Sequence, residues 1–400
     1  MKILIINSGS SSIKYKLYET GEGGSYLADG IVAKIGEPGS YIRHNVRDHK
    51  IEYEVSVPNH GKGFEIMIRL LTDPGYKVLR SVSEIAAVGH RFVQGGGIFE
   101  ESVLITEEVI KKMEEFVHLA PLHTPSNLVG IREIKKLIPD VQQVAVFDTF
   151  FHKDMPKKAY LYPMPLIYYA RYSIRKYGFH GTSYRYVSQE ASVMLGRPLN
   201  ELKMVLCHLG NGASISAFSK GSSVDTSMGL TPLEGLMMGT RTGDIDPGVV
   251  FYLSRELNMS IDEIDDLLNK KSGLLGISEL GNDMRSIIKK ANEGDEKCNL
   301  AVEMYTYRVK KYIGAYIAVL GKLDAIVFTA GIAENNPVIR AKICENLDHF
   351  GIEVDKEKNN STIGVRGEIS SRGSAVRVFV IPTDEEKVIA LDTLRICKLQ

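Results

Sequence analysis

One short pattern occurs twice in this chain, about two hundred residues apart, and it limits the folds available. Residues 3–6 are apolar, a turn of small polar residues follows (Asn7, Ser8, Gly9, Ser10, Ser11, Ser12), and residues 13–18 read as a second strand. Residues 204–209 repeat the apolar run, Gly210, Asn211 and Gly212 the turn, and residues 213–218 the second strand, with a third at 222–226. Two strands joined by a tight turn form an antiparallel hairpin, because a parallel pair needs a crossover of a dozen residues or more. The pattern therefore predicts an internal duplication, two similar domains each opening on a hairpin. Elsewhere short apolar runs alternate with helical spacing, the signature of an α/β protein.

Residues 144–147 read as another buried strand, ending at Asp148. Val109, Ile110, Met113, Phe116 and Val117 recur at helical spacing, as do Tyr305, Val309, Tyr312, Ile313, Tyr316, Ile317 and Leu320. Thr124 before Pro125 reads as a helix N-cap, and Thr383 with Glu386 three residues on reads as a capping box. At 400 residues the chain is too long for one core. No linker-like stretch divides it, and the expected domains are residues 1–150 plus 385–400, and residues 151–384.

Lys+Arg and Asp+Glu both number 49, so there is no basic footprint for nucleic acid or a membrane surface. The basic residues that matter must act locally, on a small anion. Four cysteines, Cys207, Cys298, Cys344 and Cys397, form no C-x-x-C pair and no zinc spacing, as expected of reduced thiols in a cytoplasmic protein. The four-residue apolar run at 3–6 is too short for a signal-peptide core, and no run approaches the ~20 residues that span a bilayer.

Three glycine-bearing turns follow strands: the one at Gly9, the one at Gly210 and Gly212, and a third at Gly331 (Thr329 to Asn335). Glycine lets backbone N–H groups approach and cradle phosphate oxygens. Each turn alone is ordinary, but three in similar contexts point to a nucleotide site. None matches G-x-x-x-x-G-K-S/T or G-x-G-x-x-G, so a phosphate binder here belongs to another class. Arg91 follows an apolar stretch and Arg241 sits among small residues. A guanidinium forks onto carboxylate or phosphate, and on sequence alone each arginine serves either a ligand or a structural ion pair. Asp148 closes a strand where open α/β sheets build their sites, or is a turn residue. His180, alone in its segment, reads as structural or as a ligand contact.

Ten segments resemble the acetokinase family in order: INSGSSSIKY (6–15), GHRFVQGG (89–96), APLHTPSN (120–127), VFDTFFH (146–152), YGFHGTSYRYVS (177–188), HLGNGAS (208–214), DTSMGLTPLEGLMMGTRTGDIDP (225–247), NKKSGLLG (269–276), FTAGIAENNP (328–337) and IPTDEE (381–386). The resemblance implies an α/β fold of two duplicated actin-like ATPase (ribonuclease H-like) domains, each with a mixed five-stranded sheet, facing a nucleotide cleft. It implies a homodimer and a phosphotransferase moving the γ-phosphate of ATP to acetate, with Mg²⁺, or Mn²⁺ in its place. By motif position, Asn7 and Glu385 would hold the metal, and Lys14 would lie near the ATP phosphates. His208, Leu209, Gly210, Asn211, Gly212, Asp283, Met284, Arg285, Gly331, Ile332, Ala333, Glu334 and Asn335 would line the nucleotide. Arg91 would bind the substrate carboxylate, Asp148 would be the acidic catalytic residue, and His180 and Arg241 would stabilise the transition state. Val93, Leu122, Phe179 and Pro232 would wall the substrate methyl.

The sequence departs from the family pattern at Gln94 and Tyr184, where histidine is expected, and at Asp384, where asparagine is expected. Asp384 places a second carboxylate beside Glu385. The rival readings are a propionate kinase of the same family, a non-catalytic ATP-binding switch, and a pyrophosphate-dependent enzyme. The presence of Arg91, Asp148, His180 and Arg241 together argues against the switch.

Overall fold

The computed structural model describes all of the chain except residues 22, 23, 48, 77, 116, 118–123 and 400. It divides into two units, Met1–Phe150 with Asp384–Gln400, and Phe151–Thr383.

The first unit holds strands β1 (Lys2–Ser8), β2 (Ser12–Glu19), β3 (Ser25–Ala33), β4 (Tyr41–Val46), β5 (His49–Glu54), β6 (Ile85–Phe92), β7 (Val103–Leu104) and β8 (Gln142–Phe147). Its sheet runs β5-β4-β3-β2-β1-β6-β8-β7. The β1–β2 pair is the antiparallel hairpin read from the sequence, whereas β1–β6 and β6–β8 are parallel. Alternation along β1 sends Leu4 and Ile6 into a core with Phe64, Met67 and Ile134, and Ile3 and Ile5 into a second core with Ile389 and Ala390. One face is thus covered by helices His60–Leu71 and Thr124–Leu137, the other by helix Glu385–Ile396. Gly89 allows the last of these to lie close, since a Cβ there would sit 2.4 Å from Thr393 Oγ1 and 2.6 Å from Ile389 Cγ2.

The second unit holds β9 (Lys203–Leu209), β10 (Ala213–Ser219), β11 (Ser222–Thr226), β12 (Ala325–Thr329), β13 (Gly367–Glu368) and β14 (Arg377–Val380), ordered β11-β10-β9-β12-β14-β13. Helix Gly181–Leu195 packs Tyr184, Val187 and Ala191 on one face of it. Helix Glu296–Leu320 buries Tyr305, Val309, Ile313, Tyr316 and Leu320, the stripe its spacing predicts.

Both sheets contain one motif: an antiparallel meander of three strands, with two parallel strands added beside its first. In the first unit this is β3-β2-β1-β6-β8, in the second β11-β10-β9-β12-β14. The expected count of five describes this shared motif and not the whole sheets, which have eight and six strands among the described residues. The additions are edge strands, β4, β5 and β7 in the first unit and β13 in the second.

One local expectation changes, and two others run into residues outside those described. The C-terminal helix is capped by Asp384, not Thr383: the Asp384 side chain accepts from the Lys387 N–H at 3.0 Å. The Thr383 hydroxyl is buried without a partner, and the Tyr26 phenol holds Asp384 at 2.5 Å. The helix expected after Thr124 is described as Thr124–Leu137, and the residues just before it lie outside the described residues. The helix expected to run through Phe116 to Val117 is described as Glu107–Glu115, and Phe116 lies outside the described residues.

Candidate functional site

In the first unit, Arg91 and Asp148 stand at the C-terminal ends of parallel neighbours. Arg91 is in register with Val146 on β8, and Asp148 follows β8 directly, its N–H bonding the Phe92 carbonyl at 3.0 Å. The Asp148 carboxylate is fully buried, and Arg91 forks onto it through Nη2 at 2.5 Å and Nε at 3.1 Å. Glu385, in the first turn of the last helix, lies 3.7 Å from Arg91 Nε. Burial alone would pull the Arg91 guanidinium down, but Asp148 and Glu385 together raise it overall. This arginine is thus held flat, charged and largely neutralised, with Nη1 left over.

A cavity of about 330 Å³ opens beside this group, lined by Asn7, Lys14, Arg91 and Glu385 among others. Asn7 and Lys14 are register partners across the β1–β2 hairpin. Among the described residues Lys14 has no carboxylate partner. Asn7 and Glu385 are hard oxygen donors, and no group of three or more His, Cys, Asp and Glu that could hold a metal occurs among the described residues. So small a donor set suits a cation that keeps its waters and shares phosphate oxygens, as Mg²⁺ or Mn²⁺ does. Asp384 is already used as helix cap and Tyr26 partner, and of the carboxylates that line the cavity Asp29 holds Asn45, Glu386 faces Lys16, and Glu385 lies beside Arg91. Val93 is buried, its N–H 3.3 Å from Asn127 Oδ1, and Asn127 Nδ2 donates to the Ser8 carbonyl at 2.7 Å. Asn127, unremarked in the sequence reading, thereby ties the ends of β1 and β6. Leu122 lies outside the described residues.

In the second unit, His180, His208 and Arg241 come together around the β9–β10 turn. His180 starts its helix in the left-handed region (φ 59°) and stacks on His208 with ring centroids 3.9 Å apart. A Cβ on Gly212 would meet His180 Nε2 at 3.5 Å and Arg241 Nη1 at 3.7 Å, so both side chains point at this glycine turn. Phe179 is buried, and its carbonyl lies 3.0 Å from His152 Nε2. Arg241 Nη1 donates to the Pro232 carbonyl at 3.3 Å. No carboxylate pairs with Arg241 among the described residues, and burial pulls its guanidinium down with nothing to oppose it. A half-buried cation left this way is completed by an anionic ligand.

The expected nucleotide residues, Lys14 apart, all fall in this unit, and they divide into contacts and struts. Gly210 lies beside the third glycine turn, a Cβ there reaching Ala330 Cβ at 3.5 Å. Leu209, Met284, Ile332 and Ala333 are buried, whereas Gly331 has open space where a Cβ would go. Asn211 is a strut: its carbonyl accepts from Gly239 N–H at 2.9 Å and its Oδ1 from Asn282 Nδ2 at 2.9 Å. Asp283 caps helix Met284–Asn292, and the exposed Arg285 folds back on it. Glu334 Oε1 accepts from the N–H groups of Ala330, at 2.6 Å, and Thr383, at 3.1 Å. Asn335 Nδ2 donates to the Gly331 carbonyl at 2.9 Å.

The sequence reading passed over Arg340, the largest fully buried side chain of the protein. Its guanidinium donates to the carbonyls of Ala333, Glu334, Asn359 and Thr362 and to Asn359 Oδ1. It pins the turn that Gly331 opens. The available signal was an arginine on the apolar face of helix Pro337–Cys344, among Ile339, Ile343 and Cys344.

A mixed-sheet motif that occurs twice, with glycine turns after its strands, defines a protein of the actin-like ATPase fold class. Residues 2–391 match the model of the acetokinase family. Over 397 residues the chain is 52% identical to the acetate kinase of Halothermothrix orenii, covering 99% of each chain. Among solved structures it is similar to the acetate kinase of Porphyromonas gingivalis (TM-score 0.94, 46% identity, 99% of each chain). It is also similar to a propionate kinase from Francisella tularensis (TM-score 0.92, 40% identity, 98% of this chain and 99% of that one). The chain belongs to the acetokinase family, whose members are phosphotransferases acting on a carboxyl group.

Proposed function

We propose that this chain catalyses reversible transfer of the γ-phosphate of ATP to acetate, giving acetyl phosphate and ADP in one in-line displacement. Beyond family membership, one observation carries the reading: the Arg241 guanidinium, half-buried beside His180 and without a carboxylate partner. Phosphoryl transfer needs positioning and charge stabilisation more than covalent chemistry from the protein. Acetate is already ionised at pH 7, so Asp148 need not act as a base. Its role is to hold Arg91 in plane, leaving Nη1 for the acetate carboxylate. Arg241 and His180 bond the equatorial oxygens of the group in flight. Val93, Leu122, Phe179 and Pro232 enclose the methyl group. His208, the Gly210–Gly212 turn, the segment around Asp283 and the turn at Gly331 bind the nucleotide, with Lys14 near its phosphates. Mg²⁺, or Mn²⁺, held by Asn7 and Glu385, would supply charge neutralisation between the phosphates when bound.

Propionate is the second reading, favoured by the similarity to a propionate kinase structure. One methylene in an apolar pocket is worth only ~1–3 kcal/mol, so Val93 tunes preference and does not set it absolutely. Trapping the acyl phosphate as its hydroxamate, with ATP and acetate, propionate or butyrate in turn, tests reaction and substrate together. Acetate should give the highest kcat/KM. Arg91→Ala and Arg241→Ala should each lose ~10²–10³ in kcat, as removal of an oxyanion donor does. Near-normal turnover in either variant would refute its assignment. The enzyme is expected in the cytoplasm as a homodimer, and exposed apolar side chains such as Phe251, Tyr252 and Ile261 offer surface for a second copy. No helix among the described residues is long and apolar enough to cross a membrane.

A further inference from the structure

Tyr184, one of the departures from the family pattern, lies one turn along the helix that His180 opens. Its fully buried phenol is 2.5 Å from Ser214 Oγ on β10, and Ser214, also fully buried, is 2.8 Å from His180 Nδ1. Burial keeps the phenol protonated far above neutral pH.

Hydrogen-bond accounting then fixes the protons. A phenol has one O–H to donate, and a buried donor left unpaired is costly. Ser214 Oγ is the hydrogen-bond partner of the phenol, so Tyr184 donates to it. Ser214 has one hydrogen of its own, which goes to the remaining neighbour, His180 Nδ1. A ring nitrogen that accepts carries no proton, so the proton of the neutral imidazole is on Nε2, the atom aimed at the Gly212 turn beside Arg241. Charging the ring would put a second donor against Ser214 Oγ and leave the serine hydrogen with nowhere to go. Among the described residues, the Arg241 cation at the same glycine turn also disfavours a charge on the ring, and His208 stacks on it with its own Nδ1 2.8 Å from Ser183 Oγ.

We propose that Tyr184 and Ser214 are positioning residues that hold His180 as the neutral imidazole protonated on Nε2, so that it gives the transferring phosphoryl group a directed hydrogen bond while Arg241 supplies the charge. The phosphoryl part of this statement rests on the function proposed above; the proton assignment does not.

Long-range ¹H–¹⁵N spectra of the full-length protein labelled with ¹⁵N-histidine read the tautomer without any turnover. The Nε2–H form of His180 is expected at pH 7, and the Nδ1–H form would overturn the proposal. Tyr184→Phe frees Ser214 to accept from a protonated ring, so the acid limb of kcat against pH should move up by about one pH unit, the worth of one neutral hydrogen bond. Ser214→Ala, which takes away the hydrogen given to Nδ1, should convert His180 to a mixture of tautomers in the same spectra. A purely structural tyrosine would lower kcat evenly across pH, and an unshifted acid limb would therefore overturn the relay. Should Tyr184→Phe not fold, the wild-type and Ser214→Ala spectra still decide. An Nε2–H imidazole in a protein that phosphorylates no short acid would refute the proposed reaction and leave the relay standing.

Discussion

Replacing Arg340 with alanine tests whether the turn at Gly331 is held by one buried cation. The guanidinium makes five hydrogen bonds: two from Nη1 to Ala333 O and Glu334 O, two from Nη2 to Asn359 O and Thr362 O, and one from Nε to Asn359 Oδ1. Hydrogen bonds to charged groups are worth ~1.5–3 kcal/mol each, so a plain sum would exceed the stability of most domains. The sum is not the prediction, because the bonds act as one unit and the charge itself costs free energy to bury. That cost is visible in the guanidinium, pulled down to about 10 by burial. Truncation removes the cost but takes the donor from the carbonyls of Ala333, Asn359 and Thr362 and from Asn359 Oδ1, while Glu334 O keeps the Gly364 N–H. The expected loss is about 3–5 kcal/mol, as for other broken buried networks. Arg340→Lys should recover only part of it, since one ammonium cannot reach acceptors on both sides of a planar fork. Urea unfolding gives the stability, and hydrogen exchange at Ala333, Glu334 and Thr362 locates the loosening. KM for ATP should rise more than KM for acetate. If Arg340→Ala unfolds within about 1 kcal/mol of the parent and exchange at those amides is unchanged, the guanidinium is not the pin described here.

His90 gives a pH test. It is buried, bonded to Gln143 Oε1 at 2.8 Å, and pulled down to about 4 by burial. Between that value and the ~6.5 of an unfolded histidine, the unfolded chain binds the extra proton. Stability must therefore fall as pH drops through this window, by about 2 kcal/mol at pH 5. His90→Gln should flatten the dependence of the urea midpoint between pH 7 and pH 5, and an equally steep variant would refute the assignment. Gly212→Ala puts a methyl in ordinary contact with His180 Nε2 and Arg241 Nη1, so the melting temperature should barely move. The same methyl fills the space between the two donors, and kcat/KM should fall by ~10²; full activity would show that no phosphoryl group passes there.

What the sequence disclosed was whatever is local. The β1–β2 hairpin and the β9–β10–β11 meander were legible because apolar runs and glycine turns lie next to each other in the chain. The edge strands were not. The residues of β5 are nearly all exposed, and β7 and β13 are two residues long, so neither alternation nor length marks them. The cap of the last helix shows the limit at the scale of one residue. Thr383 and Asp384 both have cap chemistry, and the choice is set by Tyr26, which is 358 positions from Asp384 in sequence. Arg340 was illegible for the same reason, its partners at Asn359 and Thr362 being assembled only by folding.

The two sheets repeat one topology, yet the two arginines differ in setting: Arg91 stands at the end of β6, whereas Arg241 lies in the loop that follows β11. Arg91 already has Asp148 and Glu385, so an arriving acetate finds a cation whose field is mostly cancelled but whose geometry is fixed. Arg241 has no carboxylate partner among the described residues, so its field is intact, and its Nη1 rests on the Pro232 carbonyl and the Met238 sulfur. A small monoanion needs alignment more than attraction. A phosphoryl group, with more charge spread over three oxygens, needs the uncancelled cation and directed donors such as His180. Under the proposed reaction, the carboxylates beside Arg91 suit it to orienting the acceptor, and their absence around the loop residue Arg241, among the described residues, suits that arginine to stabilising charge.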